Sequence, residues 1–199
     1  MAILITGGAG YIGSHTVRYF QQQNEEIVVV DNMQSGHEDA IKVDHLYKID
    51  IRDEEELDNV FKKHNIEAVI HFAANSLVGE SMEKPYEYYH NNVYGMLCLL
   101  NVMKNNDVNK IVFSSTAATY GEPKNIPIME SNETNPTNTY GETKLAMEKM
   151  MKWFDQAYGM KYVSLRYFNA SGALETGEIG EDHNPETHLI PLILQVPLG

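Results

Sequence analysis

A chain of 199 residues, 43% hydrophobic and 22% charged, can bury one sizeable core without a disulfide or metal to staple it. Its formal net charge of −13 argues against nucleic acid as a partner, because phosphate binding needs a basic face. The one cysteine, Cys98, lies in the apolar run Met96–Leu100; it excludes an internal disulfide and reads as a buried thiol in a reducing cytoplasm.

The predicted elements alternate from the first residue. Apolar runs rich in Val and Ile occupy Ala2–Thr6, Ile27–Asp31, Ala68–Phe72, Lys110–Ser114 and Tyr162–Arg166. Between them, amphipathic stretches at Tyr11–Gln23, Asp53–His64, Pro85–Asn105 and Thr139–Tyr158 predict helices. Continuous apolar strands are buried on both faces, so the fold class is α/β: a doubly wound parallel sheet covered by helices. Beyond Asn169 the texture changes to a loop-like stretch, Ala170–Asn184, and then an apolar segment, Leu189–Val196. A domain seldom stops inside an apolar run. The expected division is therefore a first domain over residues 1–170 and the start of an incomplete, smaller one over 171–199. The alternative is a last helix docked on the first domain. No apolar stretch approaches the ~20 residues of a membrane span, and the opening run is broken by Gly7 too soon for a signal peptide. A cytoplasmic protein with no membrane partner is expected.

The first strand leads into Thr6-Gly-Gly-Ala-Gly-Tyr-Ile-Gly13, with glycines spaced as Gly7-x-x-Gly10-x-x-Gly13. Such glycines let the backbone turn sharply, approach a pyrophosphate and pack helix on strand, while the helix N-terminus offers free N–H groups to phosphate. A strand before, a helix after, and Asp31 at the end of the second run make a dinucleotide site. A carboxylate at position 31 accepts from ribose hydroxyls and repels a 2′-phosphate, which selects NAD over NADP. Asp50 and Ile51, after a further short strand, are candidates for holding the adenine.

Tyr140 and Lys144 stand four residues apart on one helical face. A phenol of pKa near 10 is a poor base at neutral pH, but a neighbouring ammonium and a positive nicotinamide favour the phenolate. Tyr140 is then suited to take a proton from a sugar hydroxyl while the carbon surrenders hydride to NAD. The eight histidines show no metal-ligand spacing, and the acidic run Asp53–Glu56 reads as a helix cap, so no metal is expected.

With these residues in view the chain resembles the extended short-chain dehydrogenase/reductase family, and within it the UDP-glucose 4-epimerase (UDP-galactose 4-epimerase) branch. The likeness rests on Thr6 to His15, Val30-Asp-Asn32, His71-Phe-Ala-Ala74 and Val78-Gly-Glu-Ser81. It continues through Tyr88 to Val93, Phe113 to Thr116, Tyr140 to Lys144, Leu165-Arg-Tyr-Phe-Asn169 and His188-Leu-Ile-Pro191. The resemblance implies a Rossmann fold and the interconversion of UDP-glucose and UDP-galactose through a 4-keto sugar, as in galactose metabolism. It implies Tyr140 as acid/base and Lys144 as its tuner and ribose ligand. Thr116, ending the fourth of the apolar runs, would hydrogen-bond the reacting hydroxyl. Gly7, Gly10, Tyr11, Ile12, Gly13, Asp31, Asn32, Asp50, Ile51, Phe72, Ala73, Ala74, Ser76, Asn91 and Phe168 would line the NAD site with Tyr140 and Lys144. Asn169, His188 and Leu189 would meet the UDP-sugar. Many relatives carry Lys where Ser76 stands, so one cofactor contact is absent or replaced.

Sister enzymes that dehydrate sugar nucleotides carry Asp and Glu just after the Ser/Thr that Thr116 matches. Here Ala117 and Ala118 can transfer no proton. A dehydratase or decarboxylase, and a non-catalytic NAD-binding module, are the competing readings. Met150, Met151, Trp153 and Phe154 on the Tyr140 helix suggest core packing and a homodimer through a pair of helices. Residues 1–199 alone are expected to keep part of their NAD affinity with weak or no turnover.

Overall fold

The computed structural model describes residues 1–183, 186 and 188–196. Among them six strands form one sheet: β1 (Ala2–Thr6), β2 (Glu26–Val30), β3 (His45–Tyr47), β4 (Ile66–His71), β5 (Lys110–Thr116) and β6 (Lys161–Tyr167). Their order across the sheet is β3-β2-β1-β4-β5-β6, with every neighbouring pair parallel. This is the Rossmann-type α/β arrangement. The order reverses between β1 and β4, where the loops leaving the two strands part and open a crevice at their C-terminal ends.

The helices are α1 (Tyr11–Gln22), α2 (Glu54–Lys63), α3 (Val78–Glu83), α4 (Pro85–Tyr88), α5 (Gly95–Asn105), α6 (Thr139–Tyr158) and α7 (Leu189–Gln195). Side-chain alternation along the strands feeds two cores. Leu4, Val28 and Val30 pack with Leu57 of α2, Leu99 of α5 and Met147 of α6. Ile5, Ile27 and Val29 pack with Val17 of α1 on the other face. Local chemistry sets the helix ends. Asp53 accepts from the Glu56 N–H to start α2, which carries acids in its first turn and Lys62 and Lys63 in its last. Asn138 accepts from the Gly141 N–H to start α6, and Gly159, at φ +71°, ends it in the left-handed conformation.

The structure departs from the sequence expectation in two places. The stretch Pro85–Asn105 stays helical, but a π-helical turn at Tyr89–Tyr94 separates α4 from α5. Helix α3 was not foreseen, because its six residues are too few to show a period. Strand β3 is the short strand expected before Asp50, three half-buried residues without a Val/Ile run, and counting it Thr116 ends the fifth strand. Beyond β6 the Tyr11 hydroxyl donates to the Gly172 carbonyl at 2.7 Å, and Ile179 is buried. No helix among the described residues is long and apolar enough to cross a membrane.

Candidate active site

The crevice is a cleft of about 1350 Å³, and every residue singled out above for cofactor or sugar lies in its wall. The glycine turn forms one side. Gly7 adopts φ +72°, and a Cβ there would stand 2.5 Å from the Ala73 nitrogen. A Cβ on Gly13 would stand 2.1 Å from the Gly7 carbonyl oxygen. Both glycines are therefore demanded by the protein itself. Gly10 differs, since its added Cβ would meet nothing nearer than the Gly7 oxygen at 3.4 Å. It also precedes α1 with no side chain capping the helix's first N–H groups. A glycine that the protein does not require, facing a cleft and uncapped amides, suits an anion approaching from the cleft.

Beside the turn, Asp31 is buried and ties two backbones together. Its Oδ2 accepts from the Ala9 N–H and its Oδ1 from the Met33 N–H, each at 2.9 Å. Each oxygen keeps a lone pair for a further donor. Asn32 donates to Asp50 at 3.2 Å, and Arg52 grips the same carboxylate through its guanidinium and backbone N–H. Those bonds, the Arg52 side chain's first, hold the Asp50 carboxyl down to about 2. Ile51 is buried close against Gly95 of α5. Across the switch point, the Phe72 and Ala73 N–H groups both donate to the Thr6 carbonyl, at 2.9 and 3.2 Å, and lead to Ala74 and Ser76 in the cleft wall.

Tyr140 and Lys144 project from the first turns of α6 toward the end of β5. The Tyr140 N–H donates to Ser81 Oγ of α3 at 3.1 Å. Its phenol lies beside the Thr116 side chain, whose Oγ1 accepts from the Ala118 N–H at 3.1 Å. Lys144 is 2% exposed and its Nζ donates to the Ser114 carbonyl at 2.7 Å, lying 4.9 Å from the Phe113 ring centre. Burial pushes this ammonium down to about 7. The Tyr140 phenol is pushed up by burial, with the Thr116 side chain acting in the opposite sense. The Lys144 ammonium is directed at the Ser114 carbonyl and stands 5.8 Å from the Tyr140 ring centre, so without a bound nicotinamide burial governs the phenol. Behind the pair, His71 is buried with Nδ1 2.6 Å from Thr6 Oγ1, and burial together with the Lys144 charge pushes it down to about 3. It is a neutral imidazole, here a packing group.

Two supports went unnoticed in the sequence. Glu148, one turn beyond Lys144, accepts from Ser115 Oγ and from Arg166 Nε and Nη2 at 3.0 and 2.7 Å. Helix α6 thus holds two successive residues of β5, the Ser114 carbonyl through Lys144 and the Ser115 hydroxyl through Glu148, with Tyr140 beside the Thr116 that follows. The i, i+4, i+8 recurrence of Tyr140, Lys144 and Glu148 was the available signal. The second support is Asn92, in the π-helical turn beside Asn91. It accepts from the Asn75 N–H at 2.8 Å, donates to the Asn75 carbonyl at 3.0 Å and donates to Thr143 Oγ1 at 3.1 Å. Paired asparagines inside a predicted helix were its signal.

The far wall is looser. Phe168 and Leu189 are exposed, and Asn169 lies between β6 and the returning segment. His188 Nδ1 lies 2.9 Å from Glu181 and 2.8 Å from Glu186. With His183 these form a cluster whose spacing differs from His-x-x-x-His.

A glycine turn on a parallel switch point, faced by a Tyr-x-x-x-Lys pair whose lysine is buried, has close counterparts. The chain is 63% identical to a UDP-glucose 4-epimerase of Halalkalibacterium halodurans, over 100% of this chain and 60% of that protein. A crystal structure of a UDP-glucose 4-epimerase superposes with a TM-score of 0.98 at 61% identity, covering 100% of this chain and 61% of the other. The Bifidobacterium longum UDP-glucose 4-epimerase, solved in complex with NAD+ and UDP, gives a TM-score of 0.95 at 41% identity, covering 100% and 63%. The chain thus spans about 60% of the length of the curated relatives it matches. The model of the NAD-dependent epimerase/dehydratase family matches residues 3–197, the stretch that builds both walls of the cleft, and to that family this chain belongs.

Proposed function

We propose that this chain carries the NAD site and the acid/base machinery of a UDP-glucose 4-epimerase. The observation that carries the reading is the Thr116–Tyr140–Lys144 group, followed in the cleft wall by the methyl groups of Ala117 and Ala118. Oxidation at a hydroxyl-bearing carbon is provided for, whereas elimination of water has no proton-transfer group at those two positions.

The residues fit NAD. Gly10 leaves a hollow that a Cβ would fill at the uncapped start of α1, where a pyrophosphate would sit. Asp31, with lone pairs to spare, would receive the ribose hydroxyls; Asn32, Asp50 and Ile51 would flank the adenine. Lys144 would hold the other ribose, and Asn91 and Phe168 would border the nicotinamide. When bound, NAD would supply a hydride acceptor and donor at the sugar's C4 and a positive ring that favours the phenolate. Tyr140 would take the C4 hydroxyl proton while Thr116 holds that oxygen. Asn169, His188 and Leu189 would retain the UDP group as the keto sugar turns about its diphosphate link. Tyr140 would then return its proton to the opposite-handed alcohol, so no reducing equivalents are consumed overall.

Residues 171–199 would open the sugar-nucleotide domain, a reading supported by the exposed apolar side chains of α7, among them Ile193 and Leu194. A homodimer in the cytoplasm would cover Leu97 of α5 and Trp153 of α6, both exposed here. The test uses the chain itself for NAD+ titration and, because it spans about 60% of its relatives' length, a form carried to full length for turnover. UDP-galactose should yield UDP-glucose without net NADH, and Tyr140→Phe should abolish this while leaving NAD+ affinity within a few fold. A 4-keto-6-deoxy product, lighter by one water, would overturn the epimerase reading.

A further inference from the structure

At the opposite end of the sheet from the cleft, three side chains with metal-binding chemistry converge from separate elements. Glu26 opens β2, and His45 opens β3, pairing with Val28. Glu26 stands two residues before Val28, hence on the same face of the sheet. His64 ends α2, the helix that covers that face. One ligand atom from each of the three lies within 4.8 Å of the others, and the two imidazole rings are 4.6 Å apart. We propose that Glu26, His45 and His64 form a binding site for a divalent transition-metal ion of the zinc class, independent of the reaction assigned to the cleft.

Three features support it. Two imidazoles and one carboxylate suit zinc-like ions over magnesium or calcium. Bonds of 2.0–2.2 Å place tetrahedral ligands roughly 3.3 Å apart, so small rotations of half-exposed side chains close the site. The Tyr47 hydroxyl lies 2.8 Å from His64 Nε2, which leaves Nδ1 for the ion and fixes the ring as an outer partner does in metal sites. Two cations stand nearby. The Met1 ammonium is 3.9 Å from Glu26, at side chains 61% and 52% exposed, a pairing weak enough for a dication to displace. The Lys63 ammonium lies over the Tyr47 ring, 5.5 Å from its centre, rather than between the ligands.

The test is equilibrium dialysis of tag-free protein against Zn²⁺. The background is His183→Ala/His188→Ala, which disarms the other His/Glu cluster. One Zn²⁺ per chain should be retained. His45→Ala or His64→Ala should weaken retention by more than about tenfold, and Tyr47→Phe by about tenfold. Glu26→Gln, on an exposed side chain, gives the same answer should a histidine variant disturb β3. Zn²⁺ should also raise the thermal midpoint of the background protein but not of its His45→Ala derivative. No retained Zn²⁺ in that background, or retention indifferent to His45, His64 and Glu26, would overturn the proposal.

Discussion

Replacing Lys144 by methionine should make the protein more stable. The ammonium is fully enclosed and its pKa stands at about 7 against 10.5 in an unfolded chain. At 1.36 kcal/mol per unit, keeping this group buried at pH 7 costs on the order of 4 kcal/mol. Methionine has a similar length and removes the charge. It also removes the hydrogen bond to the Ser114 carbonyl, at about 1 kcal/mol or somewhat more. The net expectation at pH 7 is a gain of about 2–3 kcal/mol, or a thermal midpoint higher by about 4–12 °C for a chain of this size. The sign of the pH dependence follows from the depressed folded value. Wild type carries the full penalty below about pH 7 and loses it progressively as pH rises toward 10.5, where the unfolded lysine also becomes neutral. The advantage of Lys144→Met should therefore shrink to below about 1 kcal/mol near pH 10. Urea unfolding of both proteins at pH 6.5, 8 and 9.5 measures it. A methionine variant less stable at pH 7, or an advantage that does not change with pH, would refute the reasoning.

Glu148→Ala strands the largely buried guanidinium of Arg166. It should cost about 3–5 kcal/mol, while Glu148→Met/Arg166→Met together should cost much less; urea unfolding of the set decides, and a single-variant loss below about 1 kcal/mol would be the wrong answer. Gly10→Ala should change stability by about 1 kcal/mol or less yet weaken NAD+ binding at least about tenfold, because its Cβ enters the cleft rather than the protein. Gly13→Ala, whose Cβ would stand 2.1 Å from the Gly7 oxygen, should lose both stability and NAD+ binding. Denaturation midpoints paired with fluorescence titration of NAD+ separate the two glycines.

What could be read from the sequence was what lies close along the chain. The glycines of the turn, and Tyr140 with Lys144, declare themselves by spacing, because a short stretch of backbone brings each set together, while Asp31, 22 positions from Ala9, is marked as the acid ending the next Val/Ile run. The main strands announced themselves through unbroken Val/Ile runs, with ends displaced by no more than two residues. An element too short to show a period, α3, was lost. The grip of Glu148 on Ser115 and Arg166 was also out of reach, since it joins residues 33 and 18 positions apart. Protonation was the least legible feature. A lysine four residues from a tyrosine suggests a lowered phenol, but the outcome depends on how much water the fold removes from each, and here it removes nearly all of it from the lysine.

Two consecutive residues near the end of β5, Ser114 and Ser115, are each bonded to a different side chain of α6, and Thr116 follows them into the cleft wall. Ala117 and Ala118 come next, already aimed at the same space but bonded to the helix by nothing in their side chains. A change at those two positions would therefore reshape the lining of the cleft without disturbing the bonds by which α6 grips the strand.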